Sequence, residues 1–262
     1  WAGRVDAVIE AKQKQLKERK QKTSLEALRA VASMQSRPIP FLTHVGNYTA
    51  IVGQIRYQMP MTGLLSTRYD PVMQANQYVA SGADAISIFT DTVIERNGLA
   101  DITLVNEAMQ HSQTPIISQD YVLDEYHVVE ARAGGASVVV LTSGIVTASK
   151  LRNLTSAVHR NRMTAVVTVF DKAQIEEACT WSPQVIGLGG RSPLDHTIDL
   201  DFVRHLREMI PGGQRVMICN PLQTIEDVRE AVSIGVDAIT VNRQLLTDTD
   251  VKGAVVAMLH GT

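Results

Sequence analysis

Apolar residues follow two alternating patterns along the chain from about Thr49 onward. Short runs that are almost wholly apolar alternate with longer segments in which apolar residues recur every three or four positions. The first pattern is typical of parallel strands buried on both faces, and the second is typical of helices that cover them. Eight strand runs are predicted, at Ala50 to Ile55, Ala85 to Phe89, Pro115 to Ser118, Ser137 to Leu141, Ala165 to Val169, Val185 to Leu188, Arg215 to Cys219 and Ala238 to Val241.

Local signals predict where several helices begin. Asp171 with Gln174, and Thr224 with Asp227, have the spacing of a capping box. Asp70 is followed by a proline, which favours the first turn of a helix. These starts fall between the predicted strands and support the alternation of strand and helix.

The turn from helix to strand has a repeated sequence. Gly82, Gly135 and Gly235 each open a short stretch directly before a predicted strand, which indicates a tight turn. Eight strand–helix units in roughly 200–250 residues are typical of a closed (βα)8 TIM barrel. An open doubly wound sheet is the rival, and the lack of a G-x-G-x-x-G motif after the first run disfavours it. We therefore predict an α/β fold, with a (βα)8 barrel over 49–262 and a helical extension over 1–48 that packs with it as one domain.

A basic helical segment, from Val5 to Arg29, precedes the predicted barrel. The whole chain has 25 Lys and Arg against 27 Asp and Glu, a formal charge of −2, so it lacks a global basic field. The basic residues are therefore interpreted as the solvated face of an extra helix, rather than as a nucleic-acid surface, and no nucleic-acid partner is expected. The apolar stripe is Val5, Val8, Ile9, Leu16, Leu25 and Leu28, and the basic face is Lys12, Lys14, Lys17, Arg19, Lys20 and Lys22.

Composition narrows the class of protein further. A content of 45% hydrophobic and 20% charged residues is ordinary for a globular chain. Apolar stretches such as Val138 to Leu141 are far below the ~18 residues that span a bilayer, so no membrane insertion is expected. Cys179 and Cys219 have no metal-type spacing, and neither a metal nor a cofactor is predicted. The expected compartment is the cytoplasm, or an organelle interior if a targeting segment before Trp1 has been removed.

The predicted strand ends carry a family resemblance. The run Gly53 to Leu64, then Tyr69-Asp70-Pro71 and Gly82 to Asp91, is similar to the opening third of indole-3-glycerol phosphate synthase. The family patterns there read A-E-V-K-x-x-S-P-S-K-G and Gly-Ala-x-Ala-x-Ser-Val-Leu-Thr-Asp. The resemblance continues in order along the chain, and the basic segment resembles that family's extra segment before its barrel. Further matching stretches are Pro115 to Tyr121, Glu130 to Ala136, Ile186 to Arg191 and Thr224 to Val228.

The resemblance implies the reaction of the family, but most residues that perform it in the family are replaced in this sequence. The family closes an indole ring on a phosphorylated deoxyribulose derived from anthranilate, with loss of carbon dioxide and water. Its first-strand glutamate and lysine correspond to Gln54 and Arg56, and its second catalytic lysine to Gln119. An amide does not titrate at neutral pH, and a guanidinium does not usefully give up its proton. The other degenerate positions are Thr168 for a fifth-strand glutamate, Gly189 for a sixth-strand asparagine, and Cys219 and Asn220 in the seventh-strand Ser-Glu-Ser-Gly pattern.

The phosphate-binding site that the resemblance implies is altered in this sequence as well. It uses backbone N–H groups after the seventh and eighth strands. Pro221, which has no N–H, stands where the family has a glycine, and Asn242-Arg243 replaces Gly-Glu. The resemblance therefore implies a damaged phosphate site.

The charged residues at the strand ends have two interpretations. Arg56, Arg191 and Arg243, with Asn242, would form a new anion-binding pocket, since guanidinium groups bind phosphate bidentately. Alternatively, and in our preferred interpretation, the arginines pair with acids of the same ring. Those acids are Asp91 and Asp120.

Other residues near the predicted mouth also have alternative interpretations. Cys219 is either a nucleophile or, as we favour, a buried apolar filler, because no base can be assigned to it. Met59 and Met61, in the first loop, either contact a partner or pack on the barrel rim. His127 and His159 fall within helical periodicity and are predicted to be surface residues.

Two functions are compatible with this pattern. The favoured one is a pseudoenzyme that has lost the synthase activity and serves as a scaffold, assembly or regulatory subunit with protein partners. It explains why acids, bases and phosphate grip are lost together. The alternative is a divergent lyase or other enzyme that acts on a phosphorylated or carboxylated small molecule at the mouth. It would use Arg56, Arg191, Arg243 and Asp120, and it explains why charged residues persist there.

Overall fold

Eight parallel strands close into a barrel in the computed structural model of the chain. They follow one another in chain order, and the last pairs with the first through Ala50 and Ala238. The structure describes residues 2–43, 48–59, 63–64, 69–91, 93, 98–190, 198–248 and 250–260. The barrel strands are β1 (Ala50–Ile55), β4 (Ala85–Phe89), β5 (Ile116–Gln119), β6 (Val138–Thr142), β7 (Thr164–Val169), β8 (Val185–Leu188), β9 (Arg215–Leu222) and β10 (Ala238–Val241), and a hairpin after β1 consists of β2 (Gln58–Met59) and β3 (Gly63–Leu64).

Helices cover the outside of the barrel, and two of them precede its first strand. None of the helices in the described residues is long and apolar enough to cross a membrane. The helices are α1 (Ala2–Lys22), α2 (Leu25–Met34), α3 (Pro71–Ala80), α4 (Leu99–Ala108), α5 (Glu125–Ala133), α6 (Ala148–Arg160), α7 (Lys172–Thr180), α8 (Leu200–Glu208), α9 (Ile225–Ile234), α10 (Arg243–Asp248) and α11 (Val251–His260).

The predicted TIM barrel is confirmed, with small differences at strand ends. Four strands have the predicted bounds, and β9 continues three residues further, to Leu222. The extension contains a bulge, because Ile239 pairs with Ile218 while the next residue, Thr240, pairs with Pro221. The extra residues of β9 therefore lie at the carboxyl end of the barrel.

The predicted helix starts are confirmed by their hydrogen bonds. The side chains of Asp70 and Asp171 accept from backbone N–H groups three residues further along the chain. Thr224 and Asp227 form a complete capping box at the start of α9. Such caps satisfy N–H groups that have no partner inside the helix.

The predicted turns before strands use left-handed backbone. Gly82, Gly135 and Gly235 have φ angles of 90°, 101° and 80°. Side chains are disfavoured in this region, which explains glycine at these positions. At the turn between α6 and β7, Arg162 has a φ angle of 60° and takes the same role.

The apolar core has two layers. The larger lies between the strands and the surrounding helices. The smaller fills the barrel interior with residues such as Val52, Ala85 and Val166, and it includes Phe41 and Leu42 from the segment before β1. This segment also bonds to the start of β6, where the Ile39 N–H donates to Ser137 Oγ at 2.9 Å. The base of the barrel is thus closed by the N-terminal segment.

The N-terminal extension consists of two helices rather than the single segment predicted from Val5 to Arg29. The break occurs at Ser24, whose Oγ accepts from the Ala27 N–H at 3.1 Å and so caps α2. Helix α2 then runs beside α5, where the Gln35 side chain donates to the carbonyl oxygen of Ala133. A serine in this position competes for backbone hydrogen bonds and favours a new helix start.

Candidate functional site at the mouth of the barrel

A buried ion triad lies where β4 and β5 end. Lys12, from α1, places its Nζ 3.1 Å from Asp91 Oδ2, and the same ammonium donates to Asp120 Oδ1. The exposed fractions are 1% for Lys12, 0% for Asp91 and 7% for Asp120. Backbone N–H groups of Val93 and Tyr121 donate to the two carboxylates as well. The triad therefore ties the N-terminal helix to two strand ends.

The triad carries two carboxylates and one ammonium. Burial alone would lower the pKa of Lys12, but the charges of Asp120 and Asp91 outweigh it and raise the pKa above its usual value. Burial raises the pKa of Asp91, the charge of Asp120 raises it further, and Lys12 opposes both. Lys12 is therefore charged at neutral pH, and Asp91 holds a proton more readily than an ordinary aspartate.

The prediction that Lys12 belongs to a solvated basic face is wrong. Lys12 follows Ile9 by three residues and precedes Leu16 by four, so it lies on the apolar stripe of α1 rather than opposite it. That spacing was the signal that could have identified Lys12 as buried. By contrast, Lys14 and Lys17 are exposed, as predicted. Among the described residues, the ion-pair partner of Asp91 and Asp120 is thus Lys12 of α1, and neither Arg56 nor Arg243 forms the ion pair that we favoured.

The prediction that His127 lies on the surface is also wrong. It is 4% exposed, and its Nδ1 accepts from the Leu123 N–H at 3.2 Å. Helix α1 covers this part of α5, since Arg19 pairs with Glu130 and its carbonyl oxygen accepts from the Tyr126 hydroxyl. Burial and the nearby positive charges of Lys12 and Arg19 lower the pKa of His127 to about 3. The imidazole is therefore neutral at neutral and mildly acidic pH.

His159 is exposed, which confirms its prediction.

Arg56 is buried against an aromatic pair. Its guanidinium carbon lies 4.0 Å from the centre of the Phe89 ring, which is a cation–π contact. The Tyr121 ring meets Phe89 edge-on, with centroids 6.2 Å apart. Burial and the charge of Asp91 raise the pKa of Tyr121, while the charge of Arg56 lowers it. Arg56 thus belongs to the same part of the mouth as the triad.

Two amides that the family resemblance aligns with acid–base groups, Gln54 and Gln119, are neighbours in the structure. Gln54 Nε2 donates to Gln119 Oε1 at 3.0 Å, and Ser87 Oγ donates to the same oxygen at 3.2 Å. The backbone carbonyl of Gln54 also accepts from the Tyr78 hydroxyl at 2.7 Å. The structure therefore brings Gln54 and Gln119 together, as neighbours in a neutral hydrogen-bond network.

The remaining degenerate positions pack together on the opposite strands. Thr168 Oγ1 lies 3.8 Å from Cys219 Sγ, and Asn220 Oδ1 accepts from the Gly190 N–H at 2.9 Å. A methyl group placed on Gly189 would lie 3.0 Å from the Phe170 ring and 3.3 Å from Thr168. A side chain at position 189 would therefore require Phe170 and Thr168 to shift by a few tenths of an ångström.

Cys219 has the properties of a buried filler. It is 4% exposed, and burial raises the pKa of its thiol to about 12. A neutral thiol is a poor nucleophile. It belongs to the same buried cluster of the barrel interior as Met217, which lies two residues earlier on the same face of β9. These observations favour the packing interpretation that we gave for this residue.

The proposed anion-binding residues are only partly described. Asn242 Oδ1 accepts from the Leu245 N–H at 2.8 Å and so caps the start of α10, and Arg243 is exposed. Arg191 and Met61 lie outside the described residues. Met59 belongs to β2, where its backbone pairs with Gly63.

Few of the described residues at the mouth can transfer a proton at neutral pH. Gln54, Gln119 and Thr168 do not titrate in this range, and the Cys219 thiol stays protonated. Asp91 holds a proton more readily than usual, but it is fully buried and paired with Lys12. A general acid must reach the atom that it protonates, so the triad has the geometry of a structural group.

The fold and the mouth place the chain among (βα)8-barrel proteins. Solved structures support this fold at low sequence identity. A thiamine phosphate pyrophosphorylase from Pyrococcus furiosus is 17% identical with a TM-score of 0.55, and the match covers 82% of this chain and 96% of the other. An orotidine 5'-phosphate decarboxylase from Pyrococcus horikoshii is 13% identical with a TM-score of 0.56, and the match covers 80% and 97%.

Within this class, the chain belongs to the indole-3-glycerol phosphate synthase family, whose family model matches residues 5–258. Relatives named indole-3-glycerol phosphate synthase match along nearly the whole chain. That of a Nocardioides species is 30% identical over 254 residues, which is 96% of this chain and 96% of the relative. That of Campylobacter jejuni is 26% identical over 259 residues, which is 97% of this chain and 99% of the relative. The family resemblance predicted from the strand ends is thereby confirmed.

Proposed function

We propose that this family member has lost the synthase activity and serves as a non-catalytic scaffold, assembly or regulatory subunit of a larger complex. The observation that carries the proposal is the hydrogen bond between Gln54 and Gln119. The family's reaction needs a carboxylate and a cation at these two positions, and two neutral amides supply neither.

The packing around these positions supports the same conclusion. Thr168 replaces a second carboxylate, and Phe170 and Thr168 fill the space beside Gly189. Loss of one acid–base group typically lowers the rate by ~10²–10⁴, and groups that act together leave little residual activity when several are lost.

The direct test is an assay of purified protein with the substrate of the family. Formation of indole glycerol phosphate is followed by indole fluorescence, and the Nocardioides relative is the positive control. We expect no turnover by this chain. Turnover that is abolished by Arg56→Ala would contradict the proposal, because the activity would then come from the mouth of this barrel.

A gain-of-function variant sharpens the test. The changes Gln54→Glu, Arg56→Lys, Gln119→Lys and Thr168→Glu restore the family's residue types at four positions. We expect the fourfold variant, if it folds, to acquire detectable turnover where the unchanged chain has none. A matched control carries Gln54→Met and Gln119→Met, which remove the amide pair without adding acid–base groups, and we expect no turnover from it.

The partner is tested by mild isolation of the native protein. A scaffold or subunit role predicts a complex that elutes ahead of the free chain in size-exclusion chromatography and contains a second protein in fixed proportion. A native protein that elutes only as the free chain would argue against a subunit role.

One observation favours the second candidate, an enzyme for a phosphorylated or carboxylated compound. Arg56 is a buried guanidinium at a strand end, where barrel enzymes bind substrate. That candidate predicts that a sugar phosphate raises the melting temperature and that Arg56→Met abolishes the increase. The absence of stabilisation by any phosphorylated compound tested would count against it.

A further inference from the structure

A groove of about 650 Å³ on the flank of the barrel is rich in arginine. It lies between α2, α5 and the end of α6, and none of the strand-end residues discussed above lines it. Five arginines and a single carboxylate are among its described lining residues, while the chain as a whole has a formal charge of −2. The charged residues are Arg29, Arg37, Arg132, Arg160, Arg162 and Glu125.

One arginine builds the floor of the groove. Arg132 is 6% exposed, and its guanidinium donates to the carbonyl oxygens of Gln35 and Ser36 at 3.1 and 2.5 Å. These contacts hold the segment after α2 against α5. Arg132 is therefore fixed in place, with its positive charge retained under the groove.

Two further arginines are held close together by one acid. Arg29 and Arg160 each donate to Glu125 Oε1, at 3.1 and 3.2 Å. One carboxylate thus balances two guanidinium groups, and it orients both of them. The three groups together have one net positive charge. An additional anion would be favoured here because it would reduce the repulsion between the two guanidinium groups.

The last two arginines make no ion pair with any described residue. Arg37 and Arg162 are both exposed, and they line the same groove. Together with Arg132 and the pair around Glu125, they give the described lining of the groove a formal net charge of +4, from five arginines and one carboxylate.

The backbone of Arg162 gives an independent reason to assign a role to its side chain. The turn at Arg162 has the same hydrogen bonds as the turn at Gly135, with the N–H of each bonded to a carbonyl three residues earlier. Gly82 and Gly235 occupy the corresponding position elsewhere, and all have positive φ. An arginine in this conformation is sterically disfavoured, and nothing in the turn itself requires it. Its side chain, directed to the groove, is the feature that a glycine would lack.

We propose that this groove binds a small molecule that carries two or more phosphate groups. Its volume is in the usual range for small-molecule sites, about 300–1,000 Å³. Arginine forks recognise phosphate oxygens bidentately, and one phosphate would leave most of the positive charge unbalanced. Because the groove is separate from the mouth, the proposal does not depend on the function proposed above.

Inorganic tripolyphosphate is a suitable probe, used in isothermal titration calorimetry with the full chain. We expect saturable binding of one equivalent that weakens with added salt. Arg162→Gly and Arg37→Ala should each weaken binding at least about tenfold, as expected for loss of a charge-assisted hydrogen bond. Arg162→Gly should do so while the melting temperature stays the same or rises, because glycine suits the turn.

Three further variants separate the site from general charge effects. Arg152→Ala removes an exposed arginine of α6 that does not line the groove, and it should leave the affinity unchanged within about twofold. Glu125→Gln should tighten binding, since Glu125 competes with the probe for Arg29 and Arg160. Arg56→Met, at the mouth, should have no effect.

Several results would overturn the proposal. The first is a titration with tripolyphosphate that shows no saturable heat of binding. The second is an equal loss of affinity in Arg152→Ala and Arg162→Gly. The third is loss of binding in Arg56→Met. Tighter binding of a single-stranded RNA or an acidic peptide through the same arginines would replace the small molecule with a macromolecular partner.

Discussion

Replacement of Lys12 by methionine tests the role of the buried triad. The change removes the ammonium but keeps a side chain of similar length, so Asp91 and Asp120 remain buried without their described cation. Removal of one partner from a buried ion pair typically costs about 3–5 kcal/mol, and both acids here share the one that is lost. For a domain of this size the loss lowers the melting temperature by roughly 6–20 °C.

The pH dependence gives the prediction its sign. Asp91 already has a raised pKa, and loss of Lys12 removes the charge that opposes this increase. In the variant, Asp91 therefore binds a proton more tightly in the folded state than in the unfolded state. Lowering the pH from neutral then increases the free energy of unfolding that Asp91 contributes. We expect the deficit of Lys12→Met against the unchanged chain to shrink between pH 7.5 and about pH 5, as measured by urea unfolding.

The control is Lys14→Met, the same substitution at an exposed position of the same helix. It should change the free energy of unfolding by less than about 0.5 kcal/mol. A second change, Asp91→Asn in the Lys12→Met background, should recover part of the lost stability. Equal effects of the two lysine substitutions, or a Lys12→Met deficit that grows in acid, would refute the reasoning.

Three more predictions concern stability. The pKa of His127 is about 3 in the folded protein against 6.5 for an ordinary histidine, so below about pH 6.5 the unfolded chain binds a proton that the folded chain does not. The free energy of unfolding should therefore be lower by roughly 1.4 kcal/mol at pH 5.5 than well above pH 6.5. Urea unfolding of His127→Gln should show a smaller decrease in acid. Gly53→Ala would place a methyl group 2.4 Å from the buried Tyr78 ring and should cost about 1–3 kcal/mol in thermal unfolding, part of which Tyr78→Leu should relieve. Thr224→Ala removes the capping box and should cost about 1 kcal/mol by urea titration, whereas no loss would mean that water replaces the cap.

Much of the barrel could be predicted from local patterns. A strand buried on both faces must be apolar throughout, so an apolar run such as Val185–Leu188 is enough to predict the strand. Capping residues act within one helical turn, which is why Asp171 marks the start of α7 correctly. The bulge that lengthens β9 could not be predicted, because it depends on register against β10 and not on composition.

The mouth was predictable in its residues but not in their partners. Strand-end positions such as Gln54 and Gln119 follow from the strand count, and the structure places them side by side. Lys12 is separated from Asp120 by 108 residues, and no local pattern reveals such a contact. The prediction that His127 is exposed failed for a related reason. The outer face of a barrel helix is normally in contact with solvent, but α1 and α2 cover the outer face of α5.

The same separation of 108 residues has a consequence during synthesis. Helix α1 precedes the barrel strands in the chain, so at roughly 5–20 residues per second about 5–20 s pass between the synthesis of Lys12 and that of Asp120. The helix is strongly polar, with five lysines and three glutamines among its 21 residues. The contact between Lys12 and Asp120 therefore forms only after the first three of the eight barrel strands have been translated, so helix α1 takes its final position no earlier than that.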